Sequence, residues 1–124
     1  MNLQRPAHQL VATVVGAGTM GAQIAAHLAN AGIRTHLLDI VPKGADANAG
    51  KAARNAVAAG ALKQMLKAKP APFMNKAFAS RLTIGNLEDD LESAVAQSDL
   101  VIEVVIERLD IKKPLFDRIG KAAP

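Results

Sequence analysis

The sequence predicts an α/β fold, a doubly wound parallel sheet, from three observations. A short β-branched run at 10–15 leads directly into a glycine-rich turn at 16–21, and a helical pattern follows the turn. A second strand pattern at 34–40 completes a strand–helix–strand segment with the length of one βαβ unit. A near-continuous apolar run at 100–106 is typical of a parallel strand that is covered on both faces.

The first helix is predicted over residues 19–31, directly after the glycine-rich turn. Ile24 and Leu28 lie four residues apart, as on one face of a helix, and small alanines surround them. Gly32 stands where a C-terminal cap is needed. The strand at 34–40 follows, so this part of the chain matches a βαβ unit element by element.

The middle of the chain is predicted to be helical and basic. The Ala-rich stretch 46–69 favours a helix by intrinsic propensity, although Gly50 and Gly60 weaken it. A short helical turn is expected near 75–80. Residues 43–81 contain eight Lys or Arg and one Asp, and we expect these bases on solvated helix faces. No aromatic residues alternate with them, so the segment does not predict nucleic-acid binding.

The last third of the chain is predicted to add two strands and two helices. A third strand at 82–84 and a helix at 90–96 lead to the apolar strand at 100–106. Apolar residues recur at helical spacing over 110–121, so a final helix is expected there. Pro114 fits that helix only if it lies in the first turn, because proline has no N–H to donate.

Composition predicts a water-soluble domain of the cytoplasm. Half of the chain is hydrophobic, 21% is charged and the net charge is +4. The absence of Cys excludes disulfides, a thiolate nucleophile and Cys-ligated metal sites. The three His residues are too far apart in sequence to suggest a metal cluster, and no apolar run reaches the roughly 18 residues of a membrane helix. We therefore expect no metal and no membrane association.

The turn sequence GAGTMG matches the G-x-G-x-x-G pattern of dinucleotide-binding sites. In such a site Gly16 makes the tight turn after the strand, Gly18 lets a diphosphate approach the backbone, and Gly21 lets the helix pack closely on the strand. The N–H groups at the start of the helix, from Thr19 onwards, would then bind the phosphates. The alternative is a turn that only packs a helix on a sheet.

An acid ends the second predicted strand, at the spacing from the turn that dinucleotide sites use. The carboxylate of Asp39 can accept hydrogen bonds from both adenosine ribose hydroxyls, and it would repel a 2′-phosphate. The alternative is a solvated acid at the end of a strand. Because the motif follows a strand, opens a helix and precedes this acid, we predict a Rossmann-like domain that binds NAD and not NADP.

Two stretches of the sequence resemble one enzyme family. VVGAGTMGAQIAAHLANAGIRTHLLDI and DLVIEVVIERLDIKKPLF are similar to 3-hydroxyacyl-CoA dehydrogenases, the NAD-dependent oxidoreductases of fatty-acid β-oxidation. The intervening KPAPFMNKAFASRLTIGNLEDDL looks like the form in large bacterial proteins that join this dehydrogenase to an enoyl-CoA hydratase. The resemblance covers 10–116. Its most specific part is the acidic end of the fourth strand, followed by L-x-I-K.

The resemblance implies further cofactor contacts. Met20 would lie against the cofactor in the glycine turn. Val105, Ile106 and Glu107 would line the nicotinamide half at the end of the fourth strand, and Lys112 would reach the same region from the last helix. This agrees with the general position of ligands at the carboxyl ends of the strands in open α/β sheets. The alternative for Glu107 and Lys112 is a solvated loop acid and a helix-surface base.

The resemblance also implies an acyl-CoA substrate and the reaction 3-hydroxyacyl-CoA + NAD⁺ to 3-oxoacyl-CoA + NADH. Lys63, Lys67 and Lys69 are candidates to meet the phosphates of coenzyme A. The family's His base, its orienting Glu and its helical substrate domain would lie beyond Pro124. We therefore expect 1–124 to be a single, C-terminally incomplete NAD-binding domain, truncated after the fourth strand and its helix, with no catalytic residue and no turnover of its own.

Two other functions stay open from the sequence: a stand-alone NAD-binding regulatory module, and the Rossmann domain of another hydroxyacid dehydrogenase. The fourth strand and the L-x-I-K segment argue against the second of these. The predicted strand order is 3-2-1-4, which leaves the apolar fourth strand as an exposed edge. We expect self-association through that strand.

Overall fold

Four parallel strands form one sheet in the computed structural model of the chain. The structure describes residues 6–42, 44–45, 48–68, 72–104 and 109–123. The strands are β1 (Val11–Val15), β2 (Arg34–Asp39), β3 (Leu82–Asn86) and β4 (Leu100–Glu103). The helices are α1 (Thr19–Asn30), α2 (Lys51–Arg54), α3 (Ala56–Lys67), α4 (Leu91–Gln97) and α5 (Leu109–Ala122). Two short 3₁₀ helices are Ala7–Gln9 and Lys76–Arg81.

The strand order across the sheet is β3-β2-β1-β4, which confirms the predicted order and the predicted Rossmann-like α/β fold. In the register of the sheet, Val14 of β1 lies between Leu37 of β2 and Ile102 of β4. The two inner strands carry the most buried side chains: Val14, Val15, Leu37 and Leu38 are at most 1% exposed. Helices that connect parallel strands cover both faces of such a sheet.

Helices α1 and α3 cover one face of the sheet. Ala25 and Ala29 of α1 are buried in one cluster with Val14 and Leu37 of the inner strands. Because alanine adds little volume beyond the backbone, α1 can pack close to the strands. The predicted C-terminal cap of α1 is present at Gly32, whose φ of +92° lies in the left-handed region that favours glycine.

Helices α4 and α5 cover the opposite face. Leu91 and Val95 of α4 pack with Val15 and Leu38 of the sheet, and Leu115 of α5 completes the cluster. Side chains point alternately to the two faces along a strand, so neighbouring residues of β1 and β2 belong to different clusters. The sheet is therefore doubly wound, as predicted.

The single helix predicted at 46–69 is wrong in one respect, because the structure has two helices there. The break falls at Asn55, between α2 and α3, and not at the glycines. Gly50 precedes the first residue of α2, and Gly60 lies inside α3. The Asn55 side-chain oxygen accepts a hydrogen bond from Asn86 Nδ2 at 2.7 Å. This contact with the end of β3, far away in sequence, accompanies the break.

The last two elements differ in detail from the prediction. Helix α5 begins at Leu109, so Pro114 lies beyond its first turn, contrary to the expectation. Without an N–H on Pro114, the carbonyl of Asp110 receives no helical hydrogen bond from it. The side chains of β4 are half-buried, not covered, because β4 pairs only with β1 in the part of the chain that the structure describes. No described helix combines the length and apolarity that a membrane crossing requires.

Candidate dinucleotide site

The glycine turn begins directly after β1. Gly16 has φ +112°, a conformation that L side chains rarely adopt, and its N–H donates to the carbonyl of Leu38 at 2.8 Å. That hydrogen bond extends the β1–β2 pairing by one residue before the chain turns away. The position therefore needs glycine for its backbone conformation, as the motif predicts.

Gly21 lies where α1 approaches the sheet most closely. A Cβ atom built on Gly21 would lie 1.8 Å from the carbonyl oxygen of Gly16 and 2.8 Å from Cγ2 of Val104. The first of these contacts is with backbone, so a side chain at this position would force the turn or the helix to move. This is the close helix–strand approach that the motif predicts for its last glycine.

The outer side of the turn is open. Gly18, Thr19 and Met20 are exposed, and a Cβ atom on Gly18 would meet no atom within 4 Å. Gly18 also precedes the first residue of α1, and no side chain caps this end of the helix. The first N–H groups of a helix have no partner inside it, and the helix dipole makes this end positive. The backbone here fits an anionic group such as a diphosphate.

Asp39 lies beside the turn, at the end of β2. Its Oδ2 accepts a hydrogen bond from the N–H of Ala17 at 2.6 Å, and its Oδ1 accepts one from the N–H of Ile40 at 2.6 Å. A carboxylate oxygen can accept more than one hydrogen bond, so both oxygens retain capacity for ribose hydroxyls. The sequence placed Asp39 near the turn but gave no sign of its bond to Ala17.

A buried arginine supports the neighbouring end of β3. The guanidinium of Arg54 donates to both oxygens of Asp89 at 2.8 and 2.9 Å, to Glu88 at 3.1 Å and to the carbonyl of Ala45 at 3.2 Å. Asp89 also accepts a hydrogen bond from Asn86 at 3.0 Å. The expectation that every base of 43–81 lies on a solvated face is therefore wrong for Arg54. The fold tolerates this buried charge because two carboxylates and one carbonyl accept hydrogen bonds from the guanidinium.

These contacts shift the ionisation of the pair. Hydrogen bonds from Arg54, and secondarily from Asn86, lower the pKa of Asp89 from 3.8 to about 2. The hydrogen bond to Asp89 raises the pKa of Arg54 above its ordinary value. The pair connects α2 to the turn between β3 and α4. From that turn the N–H of Leu87 donates to the carbonyl of Asp39 at 3.0 Å.

A cleft lies at the open side of the turn, between the start of α1 and the end of α3, and Gly18 is among its lining residues. Its volume is about 550 Å³, within the usual range for small-molecule sites. Thr19, Gln23 and His27 line it from α1, and Gln64 and Met65 line it from α3. Ala22 of α1 and Ala61 of α3 also line the cleft, so each helix contributes both polar and apolar side chains. The glycine turn forms one end of the cleft.

The residues predicted for the nicotinamide half fall largely outside the described structure. Val105, Ile106 and Glu107 are outside the described residues, as is Lys69. Lys112 belongs to α5, and only its backbone is described. The residue before the predicted group, Val104, lies near Gly21, so the end of β4 is beside the turn. The roles of these residues stay predictions.

Two exposed apolar side chains lie near the turn and the acid. Met20 is 67% exposed and Ile40 is 53% exposed. The resemblance predicts a cofactor contact for Met20, whereas no pattern in the sequence indicates one for Ile40. Within the described residues no group of three or more His, Cys, Asp or Glu side chains could hold a metal ion.

Comparison with known proteins gives a consistent result. The family model described as "3-hydroxyacyl-CoA dehydrogenase, NAD binding domain" matches residues 11–124. A Bacillus subtilis protein named "Probable 3-hydroxyacyl-CoA dehydrogenase" is 44% identical over 118 residues, which are 88% of this chain and 15% of the relative. A Deinococcus radiodurans protein of the same name is 47% identical over 111 residues, 89% of this chain and 30% of the relative.

Other matches agree with these. A Rickettsia felis protein named "Putative fatty acid oxidation complex trifunctional enzyme" is 41% identical over 106 residues, 86% of this chain and 14% of the relative. The crystal structure of 3-hydroxybutyryl-CoA dehydrogenase from Escherichia coli K12 has a TM-score of 0.65 and 28% identity, covering 93% of this chain and 22% of that one. The chain therefore spans less than a third of the length of the curated relatives described here.

Proposed function

Because the chain belongs to the family of NAD-binding domains of 3-hydroxyacyl-CoA dehydrogenases, we propose that its glycine turn and Asp39 hold NAD for the oxidation of a 3-hydroxyacyl-CoA. One observation carries the proposal: the uncapped start of α1 lies at an open glycine, directly beside a strand-end carboxylate. The diphosphate and the ribose of one nucleotide require these two features together.

The chain's own groups divide the binding of the nucleotide between them. The N–H groups at the start of α1, near Thr19 and Met20, donate to the diphosphate, and Gly18 leaves it room. Asp39 accepts hydrogen bonds from the ribose hydroxyls through the lone pairs that Ala17 and Ile40 do not use. The same carboxylate repels a 2′-phosphate, so the site favours NAD over NADP.

The nicotinamide half extends towards the carboxyl end of β4 in this proposal. Val105, Ile106, Glu107 and Lys112 are proposed to line it, supported by the position of Val104 beside Gly21. Bound NAD⁺ supplies an acceptor for the hydride from carbon 3 of the substrate. We assign no residue of this chain to the acid–base step.

The part of the cleft away from the glycine turn, lined by Gln23 and His27 of α1 and by Gln64 of α3, is our candidate for the coenzyme A part of the substrate. The whole cleft, of about 550 Å³, has the usual size of a small-molecule site. Lys63 and Lys67 are exposed on α3, where their charges are available to phosphates, and Lys69 follows in sequence. The resemblance to acyl-CoA enzymes supports this assignment.

No specific observation favours the two alternative functions. The family match names a dehydrogenase domain, so it supports neither a regulatory module nor another class of hydroxyacid dehydrogenase. A location in the cytoplasm stays a prediction from the sequence, as does the absence of nucleic-acid partners.

Substitution of Gly18 by Val tests nucleotide binding at a position where the backbone has room for a side chain. Gly18 has an extended backbone, and an added Cβ would meet no protein atom within 4 Å, so the new side chain begins in the space that we assign to the ligand. We expect Gly18→Val to weaken NADH binding at least about a hundredfold, since a blocked diphosphate loses several charge-assisted hydrogen bonds. The binding is measured by NADH fluorescence, against a low protein background because the chain has no Trp or Tyr.

Gly50 offers a matched control. It also precedes the first residue of a helix, has an extended backbone and would meet no atom with its Cβ. Gly50→Val should bind NADH as the wild type does. Equal NADH affinity of wild type and Gly18→Val, with both chains folded, would refute the proposal that the diphosphate lies on this turn.

A further inference from the structure

The carboxylate of Asp39 bonds directly to the glycine turn. Its Oδ2 lies 2.6 Å from the N–H of Ala17, which stands between the first two glycines of the motif. Its Oδ1 lies 2.6 Å from the N–H of Ile40, and this second bond fixes the orientation of the carboxylate. Both distances are short, as expected where an N–H meets a charged acceptor. The side chain of Asp39 therefore joins the end of β2 to the turn that follows β1.

The turn itself contributes few side-chain contacts. Gly16 and Gly18 have no side chains, and Ala17 packs only one methyl group into the core, so hydrogen bonds of the backbone largely set the conformation. Gly16 donates to Leu38 at the start of the turn, and Ala22 donates to Gly18 after it. Ala17 itself is 8% exposed, so without the carboxylate its N–H would be buried without an acceptor, a cost that favours opening of the turn to water.

We propose that Asp39 is a positioning residue of the glycine turn, in addition to its role at the ribose. In the free chain Asp39 holds the N–H of Ala17 in place. Through this bond it also holds the neighbouring backbone groups in the geometry in which they can bind the diphosphate. A site arranged before binding loses less conformational entropy when the ligand arrives. The effect on ligand affinity rests on the proposed function, whereas the effect on the free turn does not.

The free chain gives the first test, without any ligand. We expect amide hydrogen exchange at Ala17 to be at least about tenfold faster in Asp39→Ala than in the wild type, because a lost charge-assisted bond opens the turn. Asp99 is a matched control: it accepts the N–H of Val11 at 3.0 Å, at the opposite end of β1. Asp99→Ala should leave exchange at Ala17 unchanged. Unchanged exchange at Ala17 in Asp39→Ala would overturn the proposal.

A second measurement needs only the wild type, should Asp39→Ala fail to fold. When the Asp39 carboxylate is followed by its ¹³C resonance during an acid titration, the amide proton of Ala17 should shift with the same midpoint. The amide proton of Ala22, whose acceptor is the carbonyl of Gly18, should not follow that midpoint. Independence of the Ala17 signal from the Asp39 ionisation would contradict the hydrogen bond and the proposal together.

Nucleotides with and without ribose hydroxyls separate positioning from ribose binding. ADP and 2′,3′-dideoxy-ADP share a diphosphate, and only ADP can bond to Asp39 through its ribose. If Asp39 served the ribose alone, Asp39→Ala would leave the affinity for the dideoxy analogue unchanged or would increase it, because removing a negative charge near the diphosphate reduces repulsion. Positioning alone predicts weaker binding, by about five- to tenfold for one lost hydrogen bond.

The outcomes are distinct. Weaker binding of the dideoxy analogue by Asp39→Ala, measured by displacement of NADH fluorescence, supports positioning. Equal or stronger binding overturns it and leaves the ribose role in place. If the wild type binds neither NADH nor ADP, the proposed function fails, and exchange at Ala17 still decides whether Asp39 positions the turn.

Discussion

Gly18 and Gly21, two glycines of the motif, must be glycine for different reasons. At Gly21 a Cβ would lie 1.8 Å from the carbonyl oxygen of Gly16, so the fold itself requires glycine. At Gly18 a Cβ would meet no atom within 4 Å, so the fold of the chain does not require glycine there. A requirement for glycine at Gly18 must come from a ligand. The same residue type therefore reports on stability at one position and on binding at the other.

We expect Gly21→Ala to destabilise the chain by about 2 kcal/mol or more, because the added methyl overlaps backbone atoms that cannot yield locally. The free energy of unfolding is measured by urea denaturation monitored by circular dichroism. Gly60→Ala is the control: Gly60 lies inside α3 and its Cβ would meet no atom. That substitution should stabilise the helix by up to about 1 kcal/mol. A Gly21→Ala chain as stable as wild type would contradict the packing described here.

At the scale of elements, one side chain joins parts of the fold that are distant in sequence. Arg54, at the end of α2, bonds to Asp89 in the turn between β3 and α4. The same turn donates the Leu87 N–H to the carbonyl of Asp39. The arginine is buried, and a buried guanidinium is tolerated only where carboxylates and carbonyls satisfy it. The ion pair therefore fixes α2 against the edge of the site.

The pair makes stability depend on pH at the acidic end. The pKa of Asp89 is about 2 in the folded chain and 3.8 without its partners, so folding favours the ionised carboxylate. This stabilisation is fully present above the ordinary pKa and is lost as the pH falls through the folded value. In urea denaturation at several pH values, Arg54→Met should unfold more easily than wild type near neutral pH. The difference should shrink between about pH 4 and pH 2.

Arg118 provides the comparison for this prediction. Two nitrogens of its guanidinium donate to the two carboxylate oxygens of Glu92, at 2.7 and 3.1 Å. Both side chains are considerably more exposed than that of Arg54. Exposed ion pairs contribute about 1 kcal/mol or less. Arg118→Met should therefore change stability less than Arg54→Met does. A difference between wild type and Arg54→Met that stays constant down to pH 2 would contradict the role of Asp89.

At the scale of the whole molecule, the two edges of the sheet differ. β3 lies at one edge and β4 at the other, and in the described residues each has one strand neighbour. Val101 and Ile102 of β4 are half-buried and apolar. An apolar strand at the edge of a sheet is a template for pairing with another chain. In the described part of the chain the helices cover the faces of the sheet, and no strand pairs with the outer edge of β4.

We therefore predict that the chain self-associates. Its weight-average mass in sedimentation equilibrium should rise with concentration, because edge pairing is an intermolecular equilibrium. A constant mass equal to that of the 12.9 kDa chain across the concentration range would contradict this prediction.

Local patterns were sufficient for most of the fold. The strands, the helices and the α1 cap followed from apolar periodicity and turn residues, which depend on neighbours within a few positions. The strand order followed from the Rossmann-like topology that the glycine motif indicates. The requirement for glycine at positions 16 and 21 could also be predicted. Wherever this motif occurs, the tight turn requires glycine at the first position and the close approach of the helix requires it at the last. The same motif, with Asp39 at its spacing from the turn, also predicts that the turn meets a diphosphate and that the acid meets a ribose.

Tertiary structure decided what depends on residues far apart in the chain. The helix break at Asn55, the burial of Arg54 and the bond from Asp39 to Ala17 join residues separated by 31, 35 and 22 positions. No local pattern encodes such pairs, because each side chain is equally compatible with solvent until folding brings its partner within hydrogen-bond distance. The sequence determined the elements and the turn, and only the folded chain determined which polar groups hold them together.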